Sequence, residues 1–195
     1  MSKKLKRILF SELMEDLSKT QKIAYISVMT ALLVICNMFF EFKFADTQYS
    51  LTILFSVMAG IIIGPIFGFS ACFLGDLVGF LYNSGGYPYY PWIGLAMGFI
   101  ALISGLVMAV EFKFKGGAYL KIAIISILTF FVCTIGINTT AFWILYNGRV
   151  TPYYVYAGTR LFINGQIWNS LLNYALVFIL YPIIVKLKEI LTKKS

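Results

Sequence analysis

The sequence contains no histidine and only eight acidic residues among 195. The absence of histidine excludes histidine metal ligands and every catalytic triad that depends on an imidazole. The chain also lacks the Gly-x-x-x-x-Gly-Lys-Ser/Thr loop that cradles phosphates, so it is not expected to hydrolyse ATP on its own. We therefore predict a protein that is not an enzyme and that needs no metal or other cofactor.

Cysteines are also few, and they carry no signature of a metal site or a disulfide. Cys36, Cys72 and Cys133 each lie in a different apolar segment with no paired spacing. This pattern favours small core residues over a redox or metal role.

Charged residues make up only 12% of the chain, whereas 60% of its residues are hydrophobic. The mean hydropathy is +0.85. A chain of this length is too apolar to hide these residues in one soluble core. The sequence predicts a multi-pass protein of the cell membrane, in a bacterial plasma membrane, whose basic surface meets membrane lipid rather than nucleic acid.

Six apolar segments are the main feature of the chain, and we assign each of them to a crossing of a hydrocarbon core about 30 Å thick. They run from about 23–40, 50–63, 66–82, 92–110, 120–145 and 165–187. We predict an all-α membrane protein, a six-transmembrane-helix bundle preceded by a short N-terminal amphipathic helix that lies on the membrane surface. The predicted divisions are an amphipathic N-terminus over 1–22, the substrate-binding bundle over 23–187 and a basic tail over 188–195.

The basic residues predict the orientation of the bundle. The two termini and the loop over 113–121 hold thirteen of the sixteen lysines and arginines. Because positive charge accumulates on the cytoplasmic side, both termini are predicted to be cytoplasmic. The loops over 41–49, 83–91 and 146–164 then face outward, and their polar and aromatic residues predict binding chemistry at the outer face.

A stripe of amides in the sixth segment is the strongest candidate site. Gln166, Asn169 and Asn173 step by three and then four residues, which aligns them on one helical face below Arg160 and Asn164. Amides both donate and accept hydrogen bonds, which suits a heterocyclic ligand. The alternative is a network that only joins helices.

Other segments supply candidates that could face this stripe. Asn138 lies four residues after Thr134, and Tyr90 and Trp92 belong to a cluster of outer rings. Such rings would stack on a flat ligand, although an interfacial aromatic belt accounts for some of them.

Two kinds of charged residue need separate interpretations. Asp76 is the only carboxylate deep in a predicted span, and no second buried acid or histidine accompanies it. We interpret it as structural rather than as a proton or cation site. Arg149 and Arg160 are expected at the outer surface, where an anionic substrate could meet them at little desolvation cost.

Small residues mark positions where helices approach closely. Gly60, Gly64 and Gly68 recur every four residues, and Ser27 and Ala31 form a similar strip in the first segment. The strip in the first segment could face another helix of this chain or a partner protein.

The order of several motifs resembles the substrate-binding S components of energy-coupling factor (ECF) transporters, and it is most similar to their folate branch. The motifs are Gly60, the Gly64-Pro65 turn with Gly68, Gly75-Asp76-Leu77-Val78-Gly79, and Gly86-Tyr87 with Tyr90-Pro91 before a helix. The resemblance implies an outer pocket gated by the first outer loop. Where folate relatives commonly carry an arginine, that loop has Gln48 and Tyr49, which we include among the candidate binding residues.

The resemblance also implies partners. Ser27 and Ala31 would dock onto a transmembrane coupling subunit that is attached to two cytoplasmic ABC ATPases. The implied substrate is a water-soluble vitamin, with folate as the first choice and cobalamin, pantothenate or another vitamin precursor as alternatives. A membrane scaffold without a small-molecule ligand is the alternative from a different functional class.

Overall fold

The computed structural model describes residues 9–15, 17–44, 47–82, 88–110, 112 and 116–193. Its elements are α1 (Glu12–Glu15), α2 (Lys19–Phe39), β1 (Glu41–Phe44), β2 (Thr47–Ser50), α3 (Thr52–Ile63), α4 (Pro65–Tyr82), α5 (Pro91–Ala109), α6 (Gly117–Thr129), α7 (Tyr153–Gly158) and α8 (Gln166–Lys193). Helix α6 continues as π-helix over Phe130–Thr139 and Phe142–Tyr146, and α7 continues as π-helix over Thr159–Ile163. The predicted basic N-terminal residues and the loop glycines at 85–86 lie outside the described residues.

Five helices in the described part of the chain are long and apolar enough to cross a membrane, so the predicted count of six is not confirmed. The exception is α3, which has 12 residues. At 1.5 Å per residue it extends only about 18 Å, short of a hydrocarbon core of about 30 Å. Ten of its residues are buried, and α3 packs against α2, α4, α5 and α8.

A two-stranded hairpin departs from the all-α prediction. Strands β1 and β2 pair antiparallel, with Glu41 opposite Ser50 and Phe44 opposite Thr47. The hairpin occupies the predicted first outer loop and leads directly into α3. We call this side of the bundle, with residues 40–44, 47–51, 88–90 and 147–165, the hairpin end.

The N-terminal segment packs into the opposite end of the bundle. Leu13, Met14 and Leu17 are at most 5% exposed, and the Ser11 hydroxyl donates to the Ile62 carbonyl at 2.8 Å. The side chains of Leu13, Met14 and Leu17 are therefore covered by protein, and the position of this segment at the membrane surface stays a prediction. The Gly64-Pro65 turn, where Gly64 has a φ of 90°, contacts the same segment.

Glycines allow α3, α4 and α5 to pack closely. A Cβ on Gly60 would collide with the Ala101 carbonyl, and a Cβ on Gly68 would lie 3.1 Å from the Gly60 Cα. The predicted role of the glycine ridge in helix contact is therefore confirmed. These contacts hold α3 at the centre of the bundle.

We expect Gly60→Ala to lower the free energy of unfolding by about 1–3 kcal/mol, because the added methyl group meets backbone that cannot rotate away. The matched control is Gly158→Ala, where the new Cβ meets no described atom within 4 Å and φ is −59°. Thermal unfolding in detergent micelles measures both variants. A Gly60→Ala midpoint equal to that of the original protein would contradict the close α3–α5 packing.

Candidate functional site

A cavity of about 490 Å³ opens among the helices at the hairpin end. Its volume falls in the range that holds small-molecule ligands in proteins. Apolar residues of α4 and α5 form one part of its wall. Its polar lining comprises Ser50, Thr52, Asp76, Thr134, Asn138, Arg160, Asn164, Gln166 and Asn169.

The cavity lies at the start of α3. Thr52 and Ile53, the first residues of α3, line the cavity. The first turn of α3 therefore forms part of the cavity wall, together with Gln166 and Asn169 of α8.

Arg160 enters the cavity from the π-helical turn that follows α7. Its guanidinium carbon lies 4.3 Å from the centre of the Phe142 ring, a cation–π contact. Burial lowers the pKa of Arg160, and Tyr156 partly opposes this change. The expectation that Arg160 sits on the outer surface at little desolvation cost is therefore corrected, whereas Arg149 is exposed beside Trp143.

Two polar atoms on the cavity residues have unused hydrogen-bonding capacity. Asn138 Oδ1 and Arg160 Nε are buried and have no hydrogen-bond partner among the described residues. Burial of an unsatisfied polar atom is unfavourable, so a ligand that paired with either atom would gain the corresponding hydrogen bond. Asn138 offers an acceptor and Arg160 offers a donor.

The predicted amide stripe divides between two environments. Gln166 and Asn169 line the cavity, with Asn164 at its exposed edge. Asn173 is fully buried and does not line the cavity. It contacts the backbone of the hairpin and of α3 instead, so the alternative of a network that joins elements applies to this position.

Asp76 lines the same cavity, next to Tyr89 and Gly94. A Cβ on Gly94 would lie 2.8 Å from Asp76 Oδ2 and 3.1 Å from the Tyr89 hydroxyl. Burial, together with the charge of Asp76 and a hydrogen bond to it, raises the pKa of Tyr89 to about 12. A carboxylate on the cavity wall can also accept hydrogen bonds from a ligand.

Tyr90 and Trp92 form a second layer behind the cavity wall. Their rings lie 5.2 and 5.3 Å from the Phe142 ring. Phe142 itself lines the cavity and makes the cation–π contact with Arg160. The two predicted aromatic residues therefore position Phe142 in this structure. Neither is among the residues that line the cavity.

The remaining predicted residues lie elsewhere. Tyr49 is half-buried in β2 and does not line the cavity, and the side chain of Gln48 lies outside the described residues. Ser27 and Ala31 are exposed on α2, away from the cavity. The sequence interpretation missed Phe142 as a cavity residue; its position four residues after Asn138 was the available signal.

The influence of Asp76 on Tyr89 can be tested by titration. A neighbouring negative charge disfavours the phenolate, so Asp76→Asn should lower the pKa of Tyr89 from about 12 toward the ordinary tyrosine value of about 10. The titration of Tyr89 is obtained by following tyrosinate absorbance against pH and subtracting the curve of the same protein with Tyr89→Phe. An unchanged Tyr89 titration in Asp76→Asn would contradict the contact.

Comparison with known proteins places this architecture in a family. A family model described as the ECF-type riboflavin transporter, S component, matches residues 17–189. The solved structure of FolT bound with folic acid superposes with a TM-score of 0.58 at 19% sequence identity, covering 91% of this chain and 95% of that chain. No curated protein sequence matches the chain. The match over 17–189 shows that the chain belongs to the family of S components of ECF-type riboflavin transporters.

Proposed function

We propose that the chain captures a water-soluble vitamin in the cavity at the hairpin end, with folate as the best candidate. Members of its family are membrane proteins that bind vitamins and associate with an ECF module, rather than enzymes. We further propose that the hairpin end faces outward and that both termini are cytoplasmic, as the distribution of lysine and arginine favours.

The observation that carries the folate proposal is the presence of Arg160 and Asp76 in one cavity. A carboxylate accepts hydrogen bonds from the amino group and ring N–H of a pterin, and a guanidinium pairs with the carboxylates of a glutamate tail. The amides supply further donors and acceptors for the ring heteroatoms. The structural similarity to FolT bound with folic acid supports the same choice.

Riboflavin is the second candidate because the matching family model describes a riboflavin transporter. The flavin ring presents two carbonyl acceptors and one N–H donor on one edge, and the cavity amides could form hydrogen bonds with these groups. It carries no formal charge, however, so it gives the half-buried Arg160 no anionic partner. A cavity of about 490 Å³ is too small to enclose cobalamin, and pantothenate lacks a flat ring for a site walled by Phe142.

A membrane scaffold without a ligand fits the site less well. The folded state of such a protein would be more stable with a filled interior, since unsatisfied buried polar atoms are unfavourable. Here Asn138 Oδ1 and Arg160 Nε are left without partners in a cavity that is large enough for a ligand.

We also propose that α2 docks onto the coupling subunit, which would connect the chain to two ABC ATPases. Helix α2 has the smallest buried share of the five candidate spans, 17% over Lys19–Cys36. Ser27 and Ala31 lie exposed on it, so another helix could approach its backbone closely there.

Ligand binding to variants of the two arginines tests the folate proposal. Arg160→Ala should weaken folic acid binding about 10- to 100-fold, because a charge-assisted contact contributes about 1.5–3 kcal/mol. Arg149→Ala is the matched control, since Arg149 is exposed and lies outside the cavity lining. Titration calorimetry with the purified protein gives the dissociation constants.

The same titrations with riboflavin distinguish the two candidates. If riboflavin binds and folic acid does not, the second candidate replaces the first. Failure of both vitamins to bind, or unchanged folic acid binding by Arg160→Ala, would reject the folate site described here.

Docking through α2 makes a separate prediction. Ala31→Leu should abolish co-purification with the coupling subunit while leaving vitamin affinity unchanged, because the larger side chain prevents close helix approach. Ala175→Leu, at an exposed alanine of α8, is the control and should co-purify normally. Normal co-purification of Ala31→Leu would refute the docking assignment.

A further inference from the structure

Two asparagines of α8 hold the junction between the hairpin and α3. Asn173 Nδ2 donates to the Ser50 carbonyl at 2.7 Å, and Asn169 Oδ1 accepts from the Ser50 N–H at 3.0 Å. Both backbone groups of the last hairpin residue are therefore bound by side chains from a helix more than a hundred positions away in sequence.

Asn173 also caps the start of α3. The N-cap residue, Leu51, makes no side-chain capping bond, whereas the Leu54 N–H donates to Asn173 Oδ1 at 3.0 Å. The first N–H groups of a helix need partners from outside the helix, and this need is strongest where water is scarce. Asn173 is fully buried and so acts as a cap supplied by another helix.

The contacts of Asn169 fix the orientation of its amide. Two donors, the Ser50 N–H at 3.0 Å and Asn173 Nδ2 at 3.2 Å, converge on Asn169 Oδ1. Rotating the amide by half a turn would set its NH2 group against both donors, which is unfavourable. Asn169 Nδ2 donates to none of the described residues, so it is the amide atom available to a cavity ligand.

We infer that Asn173 is a positioning residue that makes Asn169 a hydrogen-bond donor toward the bound vitamin and links vitamin occupancy to the position of the hairpin. The inference rests on the proposed function, and it specifies which kind of vitamin atom contacts Asn169. The vitamin atom that meets Asn169 must be an acceptor, such as a ring carbonyl oxygen or an unprotonated ring nitrogen. A ligand in that position holds Asn169 and, through Ser50, the end of β2.

Three variants separate these roles. Asn169→Asp keeps an acceptor for Ser50 and Asn173 but loses the donor to the ligand. Asn173→Leu removes the cap and the link to Ser50 while keeping the branched shape of the side chain. Ser170→Ala is the matched control, because Ser170 is a buried polar residue of the same helix whose hydroxyl has no described partner.

Two measurements are made on the full chain: hydrogen exchange over residues 47–55, and equilibrium binding of folic acid and riboflavin. Without a vitamin, Asn173→Leu should exchange over 47–55 about tenfold faster than the original protein, whereas Asn169→Asp and Ser170→Ala should not. Asn169→Asp and Asn173→Leu should each bind the vitamin about tenfold more weakly, as expected for loss of one hydrogen bond. The vitamin should slow exchange over 47–55 in the original protein.

Equal exchange over 47–55 in Asn173→Leu and the original protein would overturn the link between α8 and the hairpin. Unchanged vitamin affinity in Asn169→Asp would overturn the assignment of Asn169 Nδ2 as a donor to the vitamin. If Asn173→Leu does not fold, this variant still tests the proposal. Failure of the original protein to bind either vitamin counts against the proposed function, while the exchange comparison still decides the role of Asn173.

Discussion

The hydrogen bond from the Leu54 N–H to Asn173 Oδ1 allows a helix to begin deep inside the bundle. In a membrane interior the first N–H groups of a helix cannot rely on water, so a buried start is tolerated only where protein supplies the partners. The first residues of α3, Thr52 and Ile53, line the cavity. The hairpin, the cavity and the amide stripe of α8 all meet at this point.

The cavity combines charged and amide groups, which are unfavourable to bury without partners. A guanidinium held over Phe142, the Asp76 carboxylate and the Asn138 amide come from different elements and line one space. Their convergence is the reason for our proposal of a ligand with both donor and acceptor edges and a negative charge. The chain belongs to the S-component family, and our choice of folate among the vitamins considered rests on these side chains.

Much of the helical architecture could be predicted from the sequence, because long apolar runs define spans almost regardless of tertiary context. The length of α3 could not, since hydropathy does not show that the chain at Thr47–Ser50 pairs as a strand before the helix begins. The alternation in Glu41-Phe42-Lys43-Phe44 was a strand signal, but four residues are too few to decide between strand and loop.

The candidate site was also predicted only in part, because helical spacing shows which residues share a face but not how they pack. Helical spacing placed Gln166 and Asn169 on one face, and both line the cavity. The same spacing included Asn173, because periodicity shows a shared face and not the depth at which the cavity ends. The position of Arg160 on the cavity wall depends on the turn after α7, and the widened π-helix over Phe130–Thr139 that presents Asn138 has no recognisable sequence signal.

The central claim is that the cavity at the start of α3 holds a vitamin. Native mass spectrometry of the protein purified from its membrane, with identification of any bound small molecule, tests this most directly. The account predicts one bound vitamin per chain, a folate in the first instance, that is depleted when Asn169 is replaced by aspartate. Protein that carries only lipid and remains unoccupied after incubation with folic acid or riboflavin would contradict it.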